Sequence, residues 1–194
     1  MDSSHSDIEI YAVENNVPIM QTEGILFLID MINKYHVKNI LELGSGIGYS
    51  AIRMAEVDKT IKITTIEKDR KRYEEAVKNI NAFNLNSQID IINIDANEYQ
   101  TNATYDLIFL DAAKSQYQRL FDKFIINLQP EGFVIADNLM FHGLVDHPEL
   151  THSRRTKDLI RKIKKFRDNI LTNSLYDVAY FPNIGDGVAL IRIK

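Results

Sequence analysis

A glycine-rich turn between an apolar strand and a helical pattern is the feature that most constrains how this chain can fold. Residues 40–50 read ILELGSGIGYS, and the turn holds three alternate glycines, Gly44, Gly46 and Gly48. Such glycines let the backbone turn tightly and approach a ligand, which is typical of a nucleotide-like cofactor site in an α/β protein. A dinucleotide fingerprint, G-x-G-x-x-G, would need its last glycine at position 49, which is Tyr49 in this chain. The third glycine comes one residue too early for that fingerprint. The acid two residues before the turn, Glu42, favours a positively charged ligand over a pyrophosphate.

Apolar runs alternate with amphipathic stretches along the chain, which is the pattern of βαβ units around a parallel sheet. Strands are predicted at 38–43, 61–66, 89–93, 105–110, 132–137, 174–181 and 187–193. Helices are predicted at 48–56, 69–83, 115–127 and 154–171, and across 8–34 with a break near Pro18. Because only residues 182–186 separate the last two strands, these strands must form an antiparallel hairpin. We therefore predict an α/β fold whose mostly parallel seven-stranded sheet has an antiparallel terminal strand and helices on both faces.

Length and composition restrict the class of protein. A chain of 194 residues has the size of one domain, and we expect a helical cap at 1–34 and a core at 35–194. The absence of cysteine excludes disulfides and thiolate metal sites and agrees with a reducing compartment. The first residues are polar, and no stretch approaches the roughly 18 apolar residues of a membrane span. We expect a soluble, cytoplasmic protein with no membrane contact.

The net charge of −4 conceals a strongly basic segment near the C-terminus. Residues 151–167 contain eight lysines and arginines against one acid, Asp158, so this segment carries +7 and the rest of the chain −11. Its apolar residues share one helical face, and we expect the basic residues on the opposite, solvated face. Two interpretations stay open, namely an ordinary amphipathic helix packed on the sheet and a docking surface for a polyanion.

Ligands of parallel sheets bind where the strands end, and several predicted strands end in polar residues. Glu67 closes the second strand about 20 residues beyond the glycine turn, where a carboxylate can accept hydrogen bonds from both ribose hydroxyls. Asp95 follows the third strand, beside the expected adenine site. Asp111 follows the fourth strand, and Asp137 and Asn138 follow the fifth. These last three residues offer oxygen ligands of the kind that suits Mg²⁺ or a similar divalent ion such as Mn²⁺.

Five segments together resemble the class I S-adenosylmethionine-dependent, metal-dependent O-methyltransferases related to catechol and caffeoyl-coenzyme A O-methyltransferases. They are VPIM at 17–20, ELGSGIGYS at 42–50, DAAKSQY at 111–117, DNLMFHG at 137–143 and GDG at 185–187. The match extends over nearly the whole chain. Within this group the chain is most similar to the bacterial branch that methylates 5-hydroxyuridine in the tRNA anticodon loop. The features shared with that branch are the PIM segment, the pattern D-N-x-x-F-x-G-L-V and a following helix that starts with two arginines.

The resemblance implies a Rossmann-like fold, a homodimer and methyl transfer from S-adenosylmethionine to a metal-bound hydroxyl, so that 5-hydroxyuridine in tRNA becomes 5-methoxyuridine. It implies that Asp111, Asp137 and Asn138 hold Mg²⁺, and that Asp111 and Lys114 are catalytic, with Lys114 as the candidate base. The implied cofactor-binding residues are Met20, Glu42, Gly44, Ser45, Gly46, Gly48, Tyr49, Ser50, Glu67, Asp95, Ala96 and Asp111. The predicted RNA-binding residues are Arg154, Arg155 and Arg161.

Alternatives stay open on three points. The acceptor could be a small catechol-like phenol, which would not need the basic helix. The chain could be a catalytically silent RNA- or nucleotide-binding domain, although such a domain has no use for three converging oxygen ligands. Lys114 can act as a base only if it is neutral when the acceptor arrives, and otherwise its role is electrostatic. Of the three histidines in the following loop, only His142 is close enough to the predicted metal segment to touch an acceptor.

Overall fold

A seven-stranded sheet lies at the centre of the computed structural model, which describes residues 4–194. Its strands are β1 (Asn39–Leu43), β2 (Lys62–Glu67), β3 (Ile89–Asn93), β4 (Tyr105–Leu110), β5 (Leu128–Ala136), β6 (Tyr176–Phe181) and β7 (Val188–Ile193). Across the sheet their order is β3-β2-β1-β4-β5-β7-β6, and β7 runs antiparallel to both of its neighbours while the other pairs are parallel. The predicted α/β fold and its terminal hairpin are confirmed.

Helices cover both faces of the sheet. They are α1 (His5–Glu14), α2 (Thr22–Lys34), α3 (Tyr49–Ala55), α4 (Arg70–Ala82), α5 (Tyr117–Phe124) and α6 (Arg154–Thr172). Side chains alternate along each strand, so Ile40 joins the apolar cluster that contains α1 to α4, whereas its neighbour Leu41 joins the cluster that contains α5 and α6. Within residues 4–194, none of these helices has both the length and the apolar character that a membrane crossing requires.

Local sequence signals explain where several helices begin. Ser4 and Asp7 form a reciprocal capping box at α1, and the side chains of Asp69 and Ser153 accept hydrogen bonds from backbone N–H groups in the first turns of α4 and α6. The predicted break near Pro18 is confirmed, since residues 15–21 separate α1 from α2. Residues 1–3 of the predicted helical cap at 1–34 lie outside the described residues.

Two predicted boundaries were wrong around α5 and β5. A helix is predicted at 115–127, but the α-helix extends only over Tyr117–Phe124. A short 3-10 turn lies on each side of it. Strand β5 begins at Leu128 and not at residue 132, although Pro130 would be expected to exclude a strand. The register explains the difference, because Leu128 pairs with Tyr105 before an irregularity restores regular pairing at Leu107 and Phe133. Pro130 lies within this irregular stretch, where no ladder hydrogen bond is required of it.

The strand order reverses between β1 and β4, which creates a crevice at the carboxyl ends of these two strands. Gly44, directly after β1, has a φ of +101°, and a Cβ atom there would lie 2.6 Å from the backbone oxygen of Asp111. Only glycine therefore lets the turn after β1 pack against the end of β4. This close approach brings the glycine turn and the first predicted metal ligand to the same crevice.

Candidate active site

One cavity of about 430 Å³ extends across the carboxyl ends of β2, β1, β4 and β5. Its volume is within the range of small-molecule sites. Most of the residues predicted to bind the cofactor line it, namely Met20, Gly44, Ser45, Gly46, Tyr49, Ser50, Glu67, Asp95, Ala96 and Asp111. Lys114 and Asn138 also line it, whereas Asp137 is buried behind the lining, so the cavity joins the predicted cofactor site to two of the three predicted metal ligands.

Glu67 connects the end of β2 to the glycine turn. Its Oε2 atom accepts a hydrogen bond of 2.9 Å from the backbone N–H of Gly46, and its Oε1 atom accepts one of 2.8 Å from Asp69. Burial raises the pKa of Glu67, and the two backbone donors work in the opposite direction. The carboxylate is thus held at the cavity wall in the position that the sequence predicts for a ribose-binding acid.

Glu42 and Gly48 lie outside the cavity lining, which corrects two of the predicted cofactor contacts. Glu42 is completely buried beneath the turn, where it accepts hydrogen bonds from the hydroxyls of Ser50 and Thr65. Gly48 faces α4, because a Cβ atom there would lie 3.3 Å from the Cβ atom of Ala76. Both residues therefore support the turn on the side that faces away from the cavity. Glu42 is connected to the cavity by its hydrogen bond with Ser50, which is a lining residue.

Burial raises the pKa of Glu42 from 4.5 to about 7. A raised folded-state pKa means that its contribution to stability is fully present below pH 4.5 and is lost as the pH rises through 7. We expect Glu42→Gln to remove this loss, which corresponds to about 3 kcal/mol since each pKa unit is worth about 1.4 kcal/mol. Urea unfolding of wild type and variant at pH 5 and pH 8 measures the difference. If the free energy of unfolding depends on pH equally in the two proteins, burial does not raise the pKa of Glu42.

The other end of the cavity is acidic. Asp111 follows β4, and its Oδ1 atom lies 2.5 Å from the Lys114 ammonium nitrogen. Asp137 follows β5 and is almost completely buried, and its Oδ1 atom has no hydrogen-bond partner among residues 4–194. Burial raises the pKa of Asp137 to about 7, and the nearby charge of Asp111 acts in the same direction. Two carboxylates therefore approach each other where only one has a cationic partner.

These residues fit a divalent cation. A buried carboxylate oxygen without a partner is costly, and a hard cation is the partner that such an oxygen prefers. Within residues 4–194, no three His, Cys, Asp or Glu side chains are grouped so that they could hold a metal ion by themselves. The amide of Asn138 would therefore have to complete the predicted set with Asp111 and Asp137. Asn138 has a φ of +56°, an uncommon backbone conformation that directs its side chain into the cavity.

Lys114 is an ammonium ion in this arrangement. Burial by itself lowers the pKa of Lys114, but the negative charges of Asp111 and Asp137 outweigh burial and hold the pKa above its usual range. The condition under which Lys114 could be a base, a neutral amine, is therefore not met by the protein groups alone. Its position favours the electrostatic role, in which it orients Asp111.

Sequence reasoning missed Phe141 and Asp186 as cavity residues, and it gave His142 only a minor role. Phe141 and His142 have φ values of 46° and 58°, so the loop after β5 turns both aromatic rings toward the cavity mouth. Asp186 reaches the cavity from the hairpin between β6 and β7. The GDG segment at 185–187 was the only available signal for this residue, because the hairpin is distant in sequence from the other strand ends.

The basic face of α6 is exposed, with one exception. Arg167 is 7% exposed and donates a hydrogen bond of 2.5 Å to Asp146, so it joins α6 to the loop after β5 instead of facing solvent. This corrects the prediction that all eight basic residues are solvated. The exposed ones are Arg154, Arg155, Lys157, Arg161, Lys162, Lys164 and Lys165. Of these, Arg161 and Lys164 form surface ion pairs with acids of the same helix.

Comparison with known proteins agrees with this geometry. The model of the O-methyltransferase family matches residues 7–194. The chain belongs to the O-methyltransferase family. It is 32% identical to a catechol O-methyltransferase of Niastella koreensis over 81% of this chain and 74% of that protein. Among solved structures, it is similar to a Staphylococcus aureus protein proposed to be a caffeoyl-CoA O-methyltransferase, with a TM-score of 0.94, 31% identity, and coverage of 99% of this chain and 93% of the other.

The resemblance to class I S-adenosylmethionine-dependent O-methyltransferases is thus confirmed at the level of the family. A more distant structure, a Bacillus cereus O-methyltransferase in complex with SAH, has a TM-score of 0.83 at 23% identity and covers 100% of this chain and 92% of the other, which shows the shared fold. The metal, the tRNA acceptor and the homodimer stay predictions for this O-methyltransferase.

Proposed function

We propose that the protein transfers a methyl group from S-adenosylmethionine to a hydroxyl group on a planar acceptor, with a divalent cation present, and that the acceptor is 5-hydroxyuridine in tRNA. One observation carries the proposal: a single cavity joins a glycine turn and a ribose-type acid at one end to the oxygen-bearing side chains of Asp111 and Asn138 at the other. Since both ends face the same space, a donor and an acceptor bound there would meet near the end of β4.

The cofactor end supplies three kinds of contact. The glycine turn presents open backbone, and nothing nearer than the Pro18 carbonyl oxygen, at 3.9 Å, faces the position of a Cβ atom on Gly46. The Glu67 carboxylate is held in place by two backbone donors and can accept further hydrogen bonds from ribose. Asp95 and Ala96 close this end after β3. S-adenosylmethionine would supply the methyl group from its sulfonium centre. In an in-line displacement the acceptor oxygen would bond to the methyl carbon as the carbon–sulfur bond breaks, and the neutral thioether S-adenosylhomocysteine would leave.

The acidic end would position the acceptor oxygen. Asp111, Asp137 and Asn138 would hold the divalent cation, which lowers the pKa of a bound hydroxyl and fixes its position. Lys114 holds one oxygen of Asp111 and adds positive charge next to the acceptor site. Correct placement of the two reacting atoms is itself worth several kcal/mol of the barrier, which is what these rigid strand ends offer.

The basic face of α6 supports tRNA as the acceptor. The helix starts at Arg154, shortly after the loop that carries Asn138, Phe141 and His142. Its seven exposed lysines and arginines belong to a chain whose net charge is −4, so a polyanion would bind on this face and be repelled elsewhere. Phosphate contacts of this kind position a nucleic acid and do no chemistry.

Charge reversal on this face should weaken tRNA use selectively. In Arg154→Glu/Arg155→Glu/Arg161→Glu, we expect the KM for tRNA to rise about tenfold with unchanged cofactor affinity, because lost phosphate contacts reduce binding uniformly. The dependence of log affinity on log salt should become shallower by about 2, since each lost contact removes roughly 0.7 to 0.9. Steady-state kinetics and salt titrations measure both effects.

The matched control is Lys34→Glu/Lys59→Glu/Lys194→Glu, which changes the net charge equally at exposed positions away from α6. It should leave the tRNA KM near the wild-type value. If both triple variants raise the KM alike, the effect is general repulsion and the α6 surface is not a docking site.

A small phenolic acceptor is the second candidate. It is favoured by the 32% identity to a protein named catechol O-methyltransferase. The same cavity would serve, and the basic face would then have no part in the reaction. Methylation of catechol at a kcat/KM equal to or above that for tRNA would select this alternative, whereas binding of RNA without any methyl transfer would select a non-catalytic domain.

A further inference from the structure

We propose that Asp186 is a positioning residue for the metal site: it fixes the orientation of the Asn138 amide so that the amide oxygen, and not the nitrogen, faces the cation. The inference rests on the metal site of the proposed function. It assigns a task to a buried acid that is not one of the three predicted ligands.

Asp186 lies where three parts of the site meet. Asp186 is 7% exposed and belongs to the hairpin between β6 and β7. Its Oδ1 atom accepts a hydrogen bond of 2.6 Å from the backbone N–H of His142. Its Oδ2 atom lies 3.5 Å from the Nδ2 atom of Asn138 and 3.8 Å from the Nδ1 atom of His142. Backbone hydrogen bonds from Leu139 and Met140 to Gly187 and Asp186 hold the hairpin and the loop together.

A carboxylate at this place selects one of the two amide orientations. An ionised carboxylate only accepts hydrogen bonds, so it attracts the NH₂ group of Asn138 and repels its carbonyl oxygen. With the NH₂ group turned toward Asp186, the carbonyl oxygen points away from Asp186 and is available to a cation. The opposite orientation would present two N–H donors to that cation and exclude it.

Asp186 also stabilises the backbone that carries the ligand. Asn138, Phe141 and His142 all have positive φ values, a conformation that costs each non-glycine residue of order 1 kcal/mol. The bond from the His142 N–H to Asp186 secures this loop, and Gly187 permits it, because a Cβ atom there would lie 2.6 Å from the Cγ atom of Met140. Asp186 therefore holds both the loop and the amide.

Substitution by asparagine separates these two tasks. In Asp186→Asn, the new amide oxygen can still accept from the His142 N–H, so the loop is retained. The new NH₂ group can donate to the carbonyl oxygen of Asn138, which allows the wrong orientation of that ligand. The loss should therefore appear in metal affinity, while cofactor affinity and melting temperature stay near their wild-type values.

The test is calorimetric titration of the full-length protein with Mn²⁺ alone. We expect Asp186→Asn to weaken Mn²⁺ binding about tenfold, the lower end of what is typical for groups that orient metal ligands. The exchange Asn138→Asp/Asp186→Asn keeps the same composition and net charge, and either oxygen of the new carboxylate can bind a cation. It should restore affinity to within about threefold of wild type, which a role in folding alone would not do.

Glu149→Gln is the matched control, since it also neutralises one carboxylate but does so at an exposed position that follows the same loop, and it should bind Mn²⁺ as wild type does. Unchanged Mn²⁺ affinity in Asp186→Asn, or no recovery in the exchange variant, would overturn the inference. A loss as complete as that of Asp137→Asn would also overturn it, because Asp186 would then be a ligand. If wild type itself fails to bind Mn²⁺, the metal site of the proposed function fails together with this inference.

Discussion

Asp137→Asn should lower kcat/KM for methyl transfer about a thousandfold at saturating Mg²⁺, because a divalent cation contributes several kcal/mol to catalysis and this variant removes one of its two charged ligands. The same variant should be at least as stable as the metal-free wild type. Asp137 is buried with one unpartnered oxygen, and its pKa is raised from 3.8 to about 7, so its charge opposes folding as the pH rises through 7. A stability gain above pH 7 together with lost activity distinguishes a functional ligand from a structural residue.

Glu149→Gln is the control for this substitution, since Glu149 is an exposed carboxylate that follows the same loop. It should leave kcat/KM within twofold of wild type, about what neutralising one surface charge does. Thermal unfolding and steady-state kinetics at pH 8 measure both variants. Asp137→Asn with more than a tenth of wild-type activity would show that this carboxylate does not take part in catalysis.

Gly46→Leu should abolish binding of S-adenosylmethionine, with a loss of about 3 kcal/mol or more, which is at least a hundredfold in affinity. Gly46 has a φ of +54° and its missing Cβ faces open cavity, so a leucine side chain would occupy the space between the turn and the Pro18 segment. The left-handed backbone adds about 1 kcal/mol of strain to a non-glycine residue, which the fold should tolerate. Calorimetry with the cofactor measures the loss.

Gly143→Leu is the matched control, because it places leucine on a left-handed backbone in the same way but does not fill the cofactor cavity. Gly143 has a φ of +78°, and it is not part of the cavity lining. In the part of the chain that the structure describes, no atom lies within 4 Å of the position of its missing Cβ. This variant should bind S-adenosylmethionine as wild type does. Equal cofactor affinity in Gly46→Leu and wild type would place the cofactor elsewhere.

Strand ends were the most predictable part of the site. Asp111, Asp137 and Glu67 follow apolar runs whose parallel pairing brings their ends to one edge, so spacing alone locates them at a common crevice. The direction of a side chain at such a position is less predictable. Glu42 has the expected place in the sequence, yet the alternation along β1 turns it under the glycine turn, and only its hydrogen bonds with Ser50 and Thr65 reveal this orientation.

Contacts between distant segments account for the other differences. Arg167 belongs by periodicity to a basic face, but the loop after β5 supplies Asp146 as a partner and buries it. Asp186 reaches the site because β7 inserts between β5 and β6, which brings the hairpin against the loop that carries Asn138. Helical period and strand spacing contain no information about such pairings, since they depend on which loops meet after the sheet has formed.

Incorporation of a labelled methyl group from S-adenosylmethionine tests the central claim most directly. The reactions contain either tRNA bearing 5-hydroxyuridine or catechol, each with and without a chelator. We expect label in tRNA, no label when the chelator is present, and recovery on addition of Mg²⁺ or Mn²⁺. Absence of label from both acceptors, or label in tRNA that is insensitive to the chelator, would contradict a metal-dependent O-methyltransferase that acts on tRNA.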